Sequence, residues 1–396
     1  MLTGGEELEG IQLRVKNPEE DYVRSKFREY YERNEVRAPE QIEKREWGFG
    51  GWERKIEVRH LRISSRDELK GRLVMDAPLF VSYSTAYYEF PDMRPMEKKN
   101  WLGADLVFDL DSDHLEAPCK KTHGSKWVCD KCLEKVKEET IKLIEQFLIP
   151  DFGFSKKEIE VNFSGNRGYH IHIKNESVRQ LGGYARREIV DYLTGTGVDF
   201  EAVGFRYEEV GGRREKRLAG PKPSDAGWAG RIARFIKESA VSRKLEEVGV
   251  EAKDARKIYN RVGEFTSLIE RGNWDAVKIQ NKDNFWRGVV GRLGVRLGDR
   301  IDQNVTADTT KLIRLPDSLH GESGLVARRV REIDSFDPVK DAVVFGEQPV
   351  RIKIKNAPEF RLGEETFGPF RNEERELPER AAVFLICKKE AVLWKS

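Results

Sequence analysis

The sequence has few cysteines and methionines, and it lacks any long apolar run. Its 396 residues include only four cysteines and four methionines. No stretch approaches the ~20 consecutive apolar residues of a membrane-spanning helix, and the first residues lack the apolar core of a secretory signal. We therefore expect a soluble, cytoplasmic protein with no membrane partner, whose cysteines do not form a disulfide framework.

An excess of charge of one sign is also absent. Lysine and arginine number 71 and aspartate and glutamate 69, which leaves a net charge of +2 although 35% of the residues are charged. This balance excludes a simple polycation that coats nucleic acid, but it is compatible with a local basic groove. The length exceeds that of one ordinary core, so we expect two domains or one large domain with an insertion.

The hydrophobic pattern predicts a mixed α/β (α+β) fold. Amphipathic helices are predicted at residues 18–34, 132–149 and 185–193. Strands are predicted at residues 47–63 (after a glycine turn), 77–88, 104–111, 158–165, 169–174, 311–321, 341–346, 350–355 and 381–387. A Gly/Pro-rich passage at residues 211–230 interrupts the pattern. The sequence after it is polar, and it is predicted to be helical. The prediction is one domain formed by residues 1–200 and 295–396, with a helical insertion subdomain at 225–290.

Three acidic residues end an apolar strand. Asp109, Asp111 and Asp113 alternate in LVFDLDSDHL, and residues two apart on a strand point to one face. At a spacing of roughly 7 Å and an effective dielectric of ~20, each neighbouring pair of carboxylates repels by about 2–3 kcal/mol. Divalent cations offset such repulsion and can flank a phosphate. The motif predicts a metal site, although a solvated loop is the other interpretation of this pattern taken alone.

A glycine-rich turn follows in FSGNRGYHIHI. Its two glycines permit a tight turn and a close approach of the backbone to a ligand. The side chains at its rim that suit a phosphate are Ser164, Arg167 and His170. Two alternatives stay open at this point: an ordinary hairpin with polar surface residues, and a metal pair formed by His170 and His172.

A second group of anion-binding donors lies in LIRLPDSLHGESGL. Arg314 and His320 flank a proline turn, and the preceding segment RIDQNVTAD supplies Asp302 and Asp308. Proline turns with polar neighbours are common, so this segment alone is weak evidence for a site.

Three of the four cysteines cluster with a histidine. The spacing Cys119-x3-His123-x5-Cys129-x2-Cys132 provides four ligands of the type that bind zinc in tetrahedral geometry. Because all four positions are filled by protein, the predicted zinc is structural. Reduced free thiols are the alternative, and His114 could replace His123 as a ligand.

The order of these motifs resembles the archaeo-eukaryotic DNA primase catalytic (small) subunit, and the archaeal type in particular. The resemblance is carried by YYEFPDMRPMEKKNWLGADLVFDLDSDHL, the Cys/His cluster, SGNRGYH, RLAGPKPSDAGW and LIRLPDSLHG, and it extends from about residue 45 to about residue 338. By this resemblance the fold is a mixed-sheet primase catalytic domain with flanking helices, a zinc knuckle at residues 115–135 and a helical insertion.

The resemblance also implies roles for individual residues. Asp109 and Asp111 would be the catalytic metal-binding pair, and the third carboxylate would be Asp302 instead of Asp308. Arg59, in a segment similar to a family motif, would be a further phosphate or template contact. The residues that would hold the triphosphate of the nucleotide are Ser164, Arg167, His170, Arg314 and His320.

The activity implied by the resemblance is nucleotidyl transfer. The chain would synthesise short primers of RNA, or of DNA as well, from nucleoside triphosphates on a single-stranded DNA template. Mg²⁺ or Mn²⁺ would serve the catalytic site and Zn²⁺ the knuckle, and a large, iron–sulfur-bearing subunit would be the partner in a heterodimer.

Two other functions compete with this interpretation. LVFDLD also resembles the nucleophile strand of haloacid-dehalogenase-like phosphatases, but Asp113 stands where that family normally has Thr or Val, and its later acidic motif is not found. A non-catalytic zinc protein that binds nucleic acid would explain the cysteines, but not the carboxylates paired with an anion-binding turn. Metal-dependent nucleotide incorporation on a single-stranded template distinguishes the three.

Overall fold

The computed structural model describes residues 17–112, 119, 123, 124, 126–209, 216–248, 250–275, 286–290 and 303–394. The α-helices in these ranges are Pro18–Arg33, Arg66–Asp76, Asp130–Leu143, Glu176–Arg179, Gly183–Thr194, Gly227–Val241, Ala252–Tyr259, Val262–Glu270, Gln303–Ala307, Pro338–Asp341 and Glu379–Cys387. Short 3₁₀ helices lie at Ile42–Lys44, Met96–Lys99 and Leu245–Val248, and a π turn at Ile144–Leu148. Within the described ranges, no helix has the length and apolar character needed to span a membrane.

The strands are β1 (Trp47–Gly50), β2 (Val58–Leu61), β3 (Phe80–Ser84), β4 (Ala86–Tyr88), β5 (Trp101–Ala104), β6 (Leu106–Asp111), β7 (Ile159–Phe163), β8 (Gly168–Ile173), β9 (Arg206–Glu209), β10 (Lys216–Ala219), β11 (Leu312–Arg314), β12 (Arg329–Val330), β13 (Pro349–Ala357), β14 (Phe360–Leu362), β15 (Glu365–Phe367), β16 (Phe370–Pro378) and β17 (Ala391–Leu393). Two antiparallel sheets of four strands have the orders β11-β3-β1-β2 and β12-β7-β8-β6. A three-stranded sheet has the order β16-β13-β17, and β4–β5, β9–β10 and β14–β15 form two-stranded ribbons. The mixed α+β class predicted from the sequence is confirmed.

Two connections join the four-stranded sheets. After a single residue, β3 of the first sheet continues as β4, which pairs with β5, and β5 leads directly into β6 of the second sheet. Residues 312–330 join the sheets a second time, because they begin as β11 in the first sheet and end as β12 in the second. Side chains from both sheets can therefore meet between them.

The first helix shows how closely the sequence specifies local structure. Asn17 caps Pro18–Arg33, since its side-chain oxygen accepts hydrogen bonds from the backbone N–H groups of residues 19 and 20 at 3.2 Å. Val23, Phe27 and Tyr31, spaced four residues apart, are fully buried. The predicted helix is confirmed.

One face of the second sheet is packed in the core, and the opposite face carries the candidate site residues. Phe108, Leu110, Tyr169 and Ile171 are buried, and the helix Asp130–Leu143 packs on β6 and β8. Because strand residues alternate between faces, the residues between these apolar ones point the opposite way. This alternation places Asp109, Asp111 and His170 together.

Two predicted strands are wrong. Residues 381–387 (AAVFLIC) lie in the helix Glu379–Cys387, which is buried from Arg380 to Cys387. A short run that is apolar at every position does not distinguish a buried helix from a buried strand. Residues 341–346 (DAVVFG) form the end of the helix Pro338–Asp341 and an irregular segment, because Pro338 starts a helix that Asp337 caps through the N–H of Val339.

The Gly/Pro-rich passage contains a strand that its composition did not indicate. Residues Lys216–Ala219 form β10, which pairs with β9. Farther on, the described residues between Gly227 and Glu270 form three α-helices and one short 3₁₀ helix. The first of them packs on the rest of the molecule through Trp228, whose indole N–H donates to the carbonyl of Tyr192 at 2.7 Å. The boundaries of the helical insertion (225–290) stay a prediction.

Candidate active site

The two predicted metal ligands lie side by side on β6. In the antiparallel register with β8, Asp109 is opposite His170 and Asp111 is opposite Gly168. The side chains of Asp109 and Asp111 are 24% and 28% exposed, so a ligand can reach both carboxylates. Asp113 and His114 lie outside the described residues.

The glycine-rich turn closes on itself next to these carboxylates. The N–H of Ser164 donates to the carbonyl of Gly168 at 2.9 Å. The hydroxyl of Ser164 accepts from the N–H groups of Gly168 and Asn166 at 3.1 and 3.4 Å. Its own hydrogen stays available as a donor. Arg167 extends from the turn and places Nε 3.5 Å from Oδ1 of Asp111.

At both glycines of the turn, neighbouring atoms lie so close that a side chain would not fit. Gly165 has φ +84°, and a Cβ there would lie 3.0 Å from Cβ of His320. A Cβ at Gly168 would lie 2.0 Å from the carbonyl oxygen of Leu110. The hairpin therefore brings the backbone of the turn against the strand that carries the carboxylates.

His170 is a neutral donor in this arrangement. Burial, with smaller effects of His172 and Arg314, lowers the pKa of His170 to about 3. Its Nε2 lies 3.6 Å from Oδ1 of Asp109, and at neutral pH this contact is not an ion pair. A neutral imidazole N–H can donate to an anionic oxygen without a counter-charge.

Arg314 and His320 approach the turn from the first sheet. The guanidinium of Arg314 lies 4.9 Å from the centre of the Phe80 ring, and its Nη1 is buried with no hydrogen-bond partner among the described residues. The His320 imidazole packs edge-on against the same ring at 5.4 Å. The hydroxyl of Ser323 donates to the carbonyl of Gly165 at 2.5 Å, which joins this segment to the turn.

The proton position on His320 follows from its contacts. Nδ1 accepts from the N–H of Glu322 at 3.1 Å, so the proton of the neutral ring is on Nε2. Burial, followed by the charge of Arg314, lowers the pKa of His320 well below its usual value. Like His170, it is a neutral N–H donor.

Arg59 belongs to a different group. Its Nε pairs at 2.8 Å with Glu46, a fully buried carboxylate that also pairs with Lys99 at 3.2 Å and contacts Nδ1 of His60 at 3.1 Å. The Arg59 side chain is thus paired with a buried carboxylate, although 37% of its own surface is exposed. Its predicted role toward a phosphate or the template stays a prediction.

The predicted third carboxylate, Asp302, lies outside the described residues. The helix Gln303–Ala307, which begins at the next residue, packs on β6, and the hydroxyl of Thr306 donates to the carbonyl of Val107 at 2.9 Å. The alternative, Asp308, accepts from the N–H and hydroxyl of Thr310 at 2.8 and 2.7 Å. Its carboxylate therefore closes a local turn.

Sequence reasoning missed several polar residues next to the turn. Glu322 accepts from Nδ2 of Asn166 at 3.1 Å and pairs with Lys55 at 3.1 Å. Lys388 donates to Oδ1 of Asn166 at 3.1 Å. Asn162, opposite His170 on β7, is buried, and its Oδ1 has no partner within the described part of the chain. Lys55 and Lys388 come from distant segments without a motif, so the sequence contains no signal for them.

The Cys/His cluster also forms. Its four ligand atoms, from Cys119, His123, Cys129 and Cys132, lie within 4.8 Å of one another. Sγ of Cys132 is 3.2 Å from that of Cys119 and 3.5 Å from Nε2 of His123. Cys129 is the N-cap of the helix Asp130–Leu143, whose N-terminus favours a thiolate. This donor set can hold one metal ion, with His123 as its imidazole; His114 lies outside the described residues.

Comparison with known proteins supports the resemblance found in the sequence. The model of the DNA primase small subunit family matches residues 108–332. Three similar archaeal proteins, each named DNA primase small subunit PriS, match nearly the whole chain. The protein from Methanothrix thermoacetophila is 40% identical over 391 residues, covering 93% of this chain and 97% of that protein. Those from Methanosarcina barkeri (38% over 407 residues, 93% and 95%) and Halobacterium salinarum (35% over 395 residues, 93% and 97%) are similar as well.

Proposed function

Because the chain belongs to the DNA primase small subunit family, we propose that it is the catalytic nucleotidyltransferase that synthesises short primers on single-stranded DNA. The product would be RNA, with DNA as a second product to be tested. The observation that carries this proposal is the pair Asp109 and Asp111 beside the turn that holds Arg167. Carboxylates next to an anion-binding turn suit a metal-dependent reaction of a triphosphate.

The donor set fits hard divalent cations. Asp109 and Asp111 offer only oxygen ligands, as Mg²⁺ and Mn²⁺ require, and Asp302 is proposed as the third ligand. Two bound ions would activate the 3′-hydroxyl of the primer and neutralise the triphosphate.

The other side chains would bind and stabilise the phosphates. Arg167 and Arg314 donate charge-assisted hydrogen bonds to phosphate oxygens, and the unpartnered Nη1 of Arg314 supports this role. The neutral N–H groups of His170 and His320 donate to the oxygens on which charge develops during transfer. The Ser164 hydroxyl supplies one more donor. The reaction requires no covalent nucleophile.

One assay tests the proposal against its rivals. Purified protein is given a single-stranded DNA template with ribo- or deoxyribonucleoside triphosphates, and with Mg²⁺ or Mn²⁺ in turn. We expect template-dependent primers in at least one combination. Release of inorganic phosphate without extension would favour a phosphatase, and DNA binding without incorporation would favour a non-catalytic zinc protein.

Removal of the His170 imidazole should impair nucleotide use. We expect His170→Ala to lower kcat/KM for the nucleotide by roughly 10- to 100-fold, because a preorganised donor is lost. Steady-state primer extension measures the effect. His172→Ala removes an equally buried imidazole from the same face of β8 and controls for lost packing. A His170→Ala profile equal to that of the wild type would contradict the assignment.

We also propose that the Cys/His cluster holds structural Zn²⁺. Three thiolates and one imidazole form a closed tetrahedral set that leaves no position for water. Elemental analysis should find about one zinc per chain, and Cys132→Ser should lower both the zinc content and the thermal midpoint. Cys387→Ser, which changes a buried cysteine outside the cluster, should leave the zinc content unchanged. Protein without zinc would contradict this proposal.

The family membership further supports a heterodimer with an iron–sulfur large subunit. We also propose the division that the resemblance implies, into a catalytic domain (1–200 and 295–396), a knuckle (115–135) and a helical insertion (225–290). Co-expression with the large subunit of the same organism, followed by co-purification, tests the partner.

A further inference from the structure

Cationic side chains from four separate segments act electrostatically on His320. The segments are the loop after β1, the glycine-rich turn, β11 and the residue after the C-terminal helix Glu379–Cys387. The charges that act on the His320 imidazole come from Arg314, Lys55, Lys388 and Arg167. Like charges repel one another, so an anion bound among these cations would be stabilised by them.

Lys388 is fixed at the edge of this group by the fold. It is the C-cap residue of the C-terminal helix, and its N–H donates to the carbonyl of Phe384 at 3.0 Å. Its ammonium is bound by Oδ1 of Asn166 at 3.1 Å and by the carbonyl of Lys126 at 3.3 Å. Both partners are neutral, so neither neutralises its charge.

Glu322 supplies an anion to the group in this structure. One carboxylate oxygen pairs with Lys55 and the other accepts from Asn166, each at 3.1 Å. The Glu322 carboxylate thus contacts the same amide that binds Lys388. A phosphate group has the same sign of charge, and it offers three acceptor oxygens and more negative charge than a carboxylate.

We propose that Lys388 and Lys55 bind the terminal phosphates of the nucleoside triphosphate. Before the nucleotide binds, the Glu322 carboxylate occupies the position of these phosphates. The inference rests on the proposed function, in which Arg167, Arg314 and His320 donate to phosphate oxygens of the same triphosphate. It adds residues from outside the sequence motifs to the site. It also explains why the fold buries a lysine, which is energetically unfavourable. Burial is the largest effect on Lys388 and lowers its pKa to about 8.

Equilibrium binding tests the inference in the full-length chain. Ca²⁺ replaces the catalytic ion to prevent turnover, and the tri-, di- and monophosphates of one nucleoside are titrated separately. We expect Lys388→Met to weaken triphosphate binding roughly tenfold and monophosphate binding less than about twofold, because only the longer ligand reaches the ammonium. Lys389→Met is the matched control, since its exposed ammonium contacts Trp52 instead. It should bind all three nucleotides as the wild type does.

Two more variants should give effects that are not expected if Lys388 only stabilises the fold. Glu322→Gln removes the competing anion and should tighten triphosphate binding about two- to fivefold. Lys388→Arg keeps the charge at high pH, so its triphosphate affinity should hold from pH 7 to pH 9 while that of the wild type falls as Lys388 loses its proton. The charged groups that face Lys388 are Glu322, Arg167 and Lys55. The Cys387 thiol, whose pKa burial raises to about 12, stays neutral over this range.

A second arm identifies which triphosphate is bound. Extension of a primer with a 5′-hydroxyl leaves the incoming nucleotide as the sole triphosphate, and Lys388→Met should raise its KM there. An effect confined to primer initiation would assign Lys388 to the initiating nucleotide and overturn the proposal as stated.

The failure of this inference differs from that of the proposed function. If His320→Ala loses triphosphate affinity and Lys388→Met does not, Lys388 is outside the site and the proposed function stands. If neither variant loses affinity, the proposed nucleotide pocket itself is wrong. Equal losses for the tri-, di- and monophosphate in Lys388→Met would show that Lys388 only positions the turn, which also overturns the inference.

Discussion

Alanine at Asp109 or at Asp111 should abolish primer synthesis, with a loss of roughly 10³-fold or more in rate, while the protein stays folded. Each carboxylate is proposed to bind a catalytic cation, so the substitution removes an oxygen ligand from the metal site. The side chains are partly exposed, and removal of one relieves repulsion from the other. We therefore expect a thermal midpoint no lower than that of the wild type. Primer synthesis and thermal unfolding measure the two effects.

The same experiment identifies the third carboxylate. Asp302→Ala should match the loss of Asp109→Ala, whereas Asp308→Ala should keep most of the activity, because Asp308 closes a turn with Thr310. The reverse order would assign the third ligand to Asp308. Synthesis retained in both Asp109→Ala and Asp111→Ala would remove the metal assignment altogether.

Alanine at Gly168 should cost the protein both stability and activity. Its Cβ would lie 2.0 Å from the carbonyl oxygen of Leu110 and 3.0 Å from Cα of Asp111, so β6 and β8 would have to separate. We expect the free energy of unfolding to fall by about 3 kcal/mol or more, and primer synthesis to fall with it even at temperatures where the variant is folded. Denaturant unfolding and the primer assay report the two losses.

A second glycine provides the control for this variant. Gly71 lies inside the helix Arg66–Asp76, and a Cβ there would meet nothing within 4 Å. Gly71→Ala should raise the free energy of unfolding by ~0.5–1 kcal/mol and leave primer synthesis unchanged. If Gly168→Ala behaved like Gly71→Ala, the close packing of the turn against β6 would be wrong.

The parts of the site that are contiguous in sequence could be predicted from it. Alternation on one strand placed Asp109 and Asp111 on one face, and the spacing of Cys119, His123, Cys129 and Cys132 predicted the Cys/His cluster. These patterns are local, so periodicity and geometry suffice. Ser164 was predicted only as a donor, whereas the structure shows that its oxygen also closes the turn.

The parts that depend on tertiary packing could not be predicted. The run at 381–387 is apolar at every position, and only its surroundings make it a helix. Lys388 follows that helix and reaches Asn166, which is 222 positions away. Nothing in the sequence near either residue indicates the contact. Likewise, the approach of Arg314 and His320 to the turn followed from the family resemblance and not from any local pattern.

The segment that joins the two sheets also constrains when the protein becomes active. Leu312 pairs with Ser84 and Arg329 with Asn162, so the last strand of each sheet is added long after its partner is synthesised. Contacts this distant along the chain form late and slowly, and domains mature as their residues emerge during synthesis. A nascent or truncated chain that stops before residue 312 therefore carries the acidic pair without Arg314 and His320. Primer synthesis should begin only once translation has passed this segment.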